Sequence, residues 1–103
     1  MRLEQKKGPF SKGSSFQVGN ILTNEYVHIG IQIPKVQPIE FINNESVTPD
    51  IKIQSNNREE SFRINKKGIL EFDGKLGNSL TITFLKDFPM ETVIDLVYNV
   101  EGE

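Results

Sequence analysis

Apolar and polar residues alternate with a period of two through most of the chain, and the 3.6-residue spacing of a helix fails nearly everywhere. "YVHIGIQIP" sets Val27, Ile29, Ile31 and Ile33 on one side and His28, Gly30 and Gln32 on the other, which predicts a half-buried strand halted by Pro34. "PIEFI" gives Ile39 and Phe41 the same alternation. "VTPDIKIQ" repeats it with Val47, Ile51 and Ile53, and Pro49 confines that run to an edge strand or to a strand's first residues. "SFRIN" presents Phe62 and Ile64, "NKKG" supplies a turn, and "GILEF" restarts the chain. "SLTITFL" sets Leu80, Ile82 and Phe84 against Thr81 and Thr83. "TVIDLVYNV" carries Ile94, Leu96, Tyr98 and Val100 on one face and further apolar residues, Val93 and Val97, on the other, as suits a more buried strand. An earlier short strand is expected around Phe16 and Val18.

These runs make seven or eight short strands separated by joints rich in Asn, Gly, Pro and Ser. The fold expected is all-β, an antiparallel sandwich of jelly-roll or Ig-like type. Residues 1–15, with Gly8, Pro9 and Gly13, read as an extended arm, and residues 16–103 as the sandwich domain. One turn of helix is expected at "KDFPMET", started by Pro89. "DGKLGN" reads as a hairpin connection between consecutive strands, its glycines serving backbone geometry, with Lys75 and Leu76 at the tip.

Composition narrows the class. With 103 residues, 36% of them hydrophobic and 25% charged, the chain can close one modest core and is not a disordered polymer. Cysteine is absent, which removes disulfides, thiolate nucleophiles and cysteine metal sites together. Met1 to Ser15 lacks the apolar centre of an export signal, and no window holds the eighteen or so apolar residues of a membrane helix, so a soluble chain with no membrane partner is expected.

The net charge of −2 is unevenly placed. Arg2, Lys6, Lys7 and Lys12 against Glu4 give the first fifteen residues +3, leaving −5 on the other 88. Four interrupted cations are sparser than a nucleic-acid footprint, so the basic arm is assigned to protein contact instead. Phe10, stranded in this polar arm, is expected to dock on another subunit, with Phe16 beside it.

Catalytic chemistry finds little purchase. His28 is the one histidine, placed mid-strand without a local Ser or Asp partner, and a triad needs a base next to its nucleophile. Zinc would need several histidines in a chain without cysteine. Glu71 and Asp73, two apart on one strand face, read as solvated charges that discourage edge pairing rather than as a glycosidase pair. "DGKLGN" has too few oxygen ligands for calcium. No enzyme activity and no cofactor are expected.

Three segments taken in order, "YVHIGIQIP", "INKKGILEFDG" and "ITFLKDFPMETVIDLVYNVEG", carry a resemblance over residues 26–103. An Ile/Gly-rich strand, a G-I-x-E-F-D strand and a terminal strand of hydrophobic-D-hydrophobic-x-Y type resemble small all-β virion proteins of tailed bacteriophages, associated with tail, baseplate or neck. The resemblance implies a non-enzymatic structural subunit, made in the bacterial host cytoplasm and present in several copies in the virion. Its partners would be copies of itself and other virion proteins. The residues expected at such contacts are Arg2, Lys6, Lys7, Phe10, Lys12 and Phe16 on the arm, and Lys75 and Leu76 on the loop. The alternative is a carbohydrate- or receptor-binding sandwich, which would take a host glycan on exposed aromatic rings.

Overall fold

The computed structural model describes residues 1–33, 48–56, 58–65 and 67–102. They form eight strands: β1 (Arg2–Lys7), β2 (Ser15–Val18), β3 (Tyr26–Gln32), β4 (Ile51–Ser55), β5 (Arg58–Phe62), β6 (Ile69–Lys75), β7 (Leu80–Phe84) and β8 (Val93–Tyr98). No helix occurs among the described residues. The strands build two four-stranded antiparallel sheets, ordered β1-β8-β3-β6 and β2-β7-β4-β5. Their pairing is nested: β1 with β8, β2 with β7, β3 with β6 and β4 with β5. Contacts of β3 with β8 and of β4 with β7 complete each sheet.

Alternation explains why the two sheets cover each other. Ile29 and Ile31 of β3, Ile94 and Leu96 of β8, Ile51 of β4 and Ile82 of β7 all leave their strands on one parity, and all enter a single hydrophobic cluster. Phe62 of one sheet meets Phe72 of the other edge-on, with centroids 5.7 Å apart. Burial of these apolar side chains against the facing sheet offsets the entropy lost by the strands. The turn expected at "NKKG" is present. Asn65 Oδ1 accepts the N–H groups of Lys67 and Ile69 at 2.9 and 3.0 Å, and Gly68 supplies a φ of 77° that other residues rarely adopt.

At the seam between β4, β5 and β7, Asp50 is 2% exposed and binds both the Ile64 N–H at 2.7 Å and Lys86 Nζ at 2.6 Å. Its own backbone accepts from Leu85 and donates to Phe62. Pro49 therefore precedes β4 rather than interrupting it, which lets β4 be an interior strand.

Several expectations are corrected. Residues 2–7 are no free arm: β1 pairs along its whole length with β8, from Arg2 opposite Tyr98 to Lys7 opposite Val93. Phe10 stacks on Phe84 of its own core, ring centroids 4.3 Å apart and planes 7° apart, while a bridge ties it to Phe88. The sequence around Phe10 is polar, yet the nested pairing lays it along the β7–β8 connection, where apolar surface is waiting. "DGKLGN" is not a hairpin, because β6 and β7 lie in different sheets and the loop crosses between them. Leu76 is 1% exposed and belongs to the core, continuing the inward parity of Phe72 and Gly74. At "KDFPMET" a turn closed by the Thr92 N–H on the Pro89 carbonyl replaces the expected helix. The expected strand at Ile39 and Phe41, and Val47, lie outside the described residues.

Candidate functional site

The outward faces of the two sheets differ in chemistry. On β2-β7-β4 the outward parity holds Gln17, Thr81, Thr83, Lys52 and Gln54, a polar face without an apolar patch. On β1-β8-β3-β6 the register aligns two contrasting rows. Leu3, Val97, His28 and Asp73 form one, and Gln5, Asp95, Gly30 and Glu71 form the next. Leu3 is 71% exposed, and Tyr26, on the outward parity of β3, is 66% exposed.

Tertiary pairing gives His28 the partner that its local sequence lacks. Its Nδ1 lies 2.8 Å from Asp73 Oδ1 across the β3–β6 ladder. The other ring nitrogen leans over the backbone of Gly30, where a Cβ would stand 3.3 Å from Nε2. With no side chain at Gly30, the middle of the sheet carries a hollow of about 160 Å³ lined by His28, Gln32, Glu71 and Asp95. A second hollow of about 420 Å³ adjoins it, lined by Leu3, Gln5, His28, Asp95 and Val97. Because His28 and Asp95 line both, the two make one furrow across the sheet. Asp95 Oδ1 accepts from Gln5 Nε2 at 2.9 Å. Neither Asp95 nor Glu71 has a cationic partner among the described residues.

His28 with Asp73 has the pairing of a base and its orienter, and among the described residues neither hollow is lined by a serine or threonine that could be the nucleophile. Glu71 and Asp95 are both exposed, whereas glycoside hydrolysis calls for two carboxylates in contrasting environments. Among the described residues no group of three or more His, Asp or Glu could hold a metal ion. A cationic group presented from outside would find two carboxylates, a glycine floor and an imidazole.

The contact residues expected from sequence are not gathered at this furrow. Arg2 and Lys6 share the inward parity of β1 with Glu4, whose carboxylate accepts from the Tyr98 hydroxyl. Lys6 Nζ sits 5.3 Å over the ring of Phe16, joining the two sheets at their edge. Inward-pointing charges of this kind blunt an edge strand against pairing with other chains. Lys12 N–H donates to Asp87 at 2.8 Å, and Phe16 packs against the core. Lys75 Nζ lies 5.4 Å from the ring of Tyr26. Lys7 alone of the arm cations shares the outward parity with Leu3 and Gln5. The furrow residues missed by sequence reasoning are Asp95, Glu71 and Gly30 acting together. Their outward parity was readable, but their juxtaposition required the strand order.

No family model, curated protein or solved structure matches this chain.

Proposed function

We propose that the chain is a non-enzymatic structural subunit of a tailed-phage virion, contacting copies of itself and neighbouring virion proteins, and that its eight strands form a jelly roll. The observation that carries the reading is the nested strand pairing, which is what rolling up one long antiparallel hairpin produces. Jelly rolls recur in viral capsid proteins and lectins. Fold supports function only by analogy, so the site must carry its share. Large apolar side chains left in solvent on the β1-β8-β3-β6 face, with Leu3 and Tyr26 foremost, suit a surface that a partner covers.

Mass spectrometry of purified particles from a phage encoding this chain tests the reading. The expected result is the chain present at a fixed multiple relative to the other virion proteins; its absence from intact particles would overturn the proposal. Tyr26 favours one second reading, a glycan-binding jelly roll, because an exposed ring offers a sugar a stacking platform. Saturable glycan binding that is abolished by Tyr26→Ala would establish that alternative.

A further inference from the structure

We infer that the furrow on the β1-β8-β3-β6 sheet is a docking site for an extended segment of a neighbouring protein, and that it takes one arginine or lysine side chain over Gly30. The inference rests on the structural-subunit reading for its choice of partner, but its chemistry comes from the furrow alone.

The sheet sets the spacing. Asp95 and Glu71 are the cross-strand neighbours of Gly30 on either side, so their strands stand roughly 10 Å apart, twice the ordinary interstrand distance. Glu71 and Asp95 both line the hollow at Gly30, whose size suits one guanidinium or ammonium group. Gly30 makes the gap: any side chain there would enter the space between them and press on His28 Nε2.

Charge points to the same occupant. Gln5 satisfies one oxygen of Asp95, and no cation among the described residues neutralises either acid. Asp73 adds a third carboxylate behind His28. An anionic or neutral ligand would meet uncompensated negative charge, whereas a guanidinium gains charge-assisted hydrogen bonds on both sides. Leu3 and Val97 flank the acids in the adjoining row, where the apolar neighbours of the inserted residue would lie. The partner is accordingly an extended, mixed apolar and basic segment. Of the chain's own β1 cations, Arg2 and Lys6 are turned to the inward parity by the pairing with β8, and Lys7, on the outward parity, stands opposite Val93 rather than Asp95.

The test uses the full chain and two acetylated, amidated pentapeptides, Gly-Val-Arg-Val-Gly and its citrulline counterpart, which keeps the shape and removes the charge. Amide shifts in ¹⁵N spectra are followed during titration. The arginine peptide is expected to move His28, Gly30, Glu71 and Asp95 saturably. The citrulline peptide, and the arginine peptide on the Glu71→Gln/Asp95→Asn chain, should bind about tenfold more weakly, the loss expected for a charge-assisted contact. Gly30→Ala fills the notch while its Cβ meets only the end of the His28 ring, so the fold is retained and affinity falls. Equal affinity for both peptides, no saturation at millimolar peptide, or shifts scattered over the carboxylates of both faces would each overturn the inference. Because no particle is needed, failure here alongside a chain found in particles removes the furrow and leaves the structural-subunit reading standing. Binding here with no chain in particles does the reverse.

Discussion

Phe10 and Phe84 stack face to face, ring centroids 4.3 Å apart, so a residue from the polar N-terminal stretch completes the core of its own chain. Phe88 meets the same Phe84 ring from the side at 5.3 Å, and the Phe10–Phe88 bridge holds the three together. The N-terminal segment is thus part of the folding unit. Phe10→Ala should lower unfolding free energy by about 2 kcal/mol, below the full cost of a buried Phe because Phe10 is half-buried. Urea denaturation checks this. A change under about 0.5 kcal/mol would mean that the stack adds nothing to stability.

The seam at Asp50 predicts an asymmetry between breaking an ion pair and removing it. Asp50→Ala takes the paired carboxylate from the Lys86 ammonium, whose side chain is 17% exposed, and removes the acceptor of the Ile64 N–H. The expected cost is about 3–5 kcal/mol. Adding Lys86→Met should recover part of that loss by deleting the charge that faced Asp50. If the double variant is less stable than Asp50→Ala alone, the Lys86 charge that faced Asp50 is not what costs stability.

Lys75 and Leu76 are adjacent in sequence and opposite in role. Leu76→Ala should cost about 2–5 kcal/mol by opening a core cavity. Lys75→Ala should cost under about 1 kcal/mol, mostly its cation–π contact with Tyr26. Thermal melts of the two variants separate the readings: similar small shifts would return Leu76 to the surface.

Gly77 predicts a packing effect rather than a conformational one. A Cβ there would collide with the Asn56 carboxamide, which itself bonds Asn78 at 3.2 Å, and the Gly77 N–H donates to Ser55 Oγ at 2.8 Å. Gly77→Ala should therefore destabilise by about 1–3 kcal/mol, as overpacking does. Gly19→Ala, with open space around its Cβ, serves as the control and should change stability by under about 0.5 kcal/mol.

Strand existence was legible because burial on one face of a strand demands a period of two, and Ile29, Ile82 and Leu96 each sit in such a run. Loop roles were less legible. "DGKLGN" has the glycines of a hairpin turn, but those residues serve any tight reversal, including a crossover between sheets, and only the placement of β6 and β7 distinguishes the two. The N-terminal stretch misled for a related reason: Arg2, Lys6 and Lys7 make it look like a solvated arm, whereas an edge strand tolerates charge because one of its sides stays open to water.

The sequence by itself determined that the chain is all-β, which side chains point inward on its strongest strands, and that cysteine chemistry is closed to it, since these follow from local periodicity and residue type. The tertiary structure alone decided which strands are neighbours. Residues 45 positions apart, His28 and Asp73, meet because β3 pairs with β6, and Asp95 faces Glu71 across Gly30 because β8 flanks β3 on the other side. No local signal encodes such pairings. They are chosen by the burial of two sheet faces against each other, a property of the whole chain.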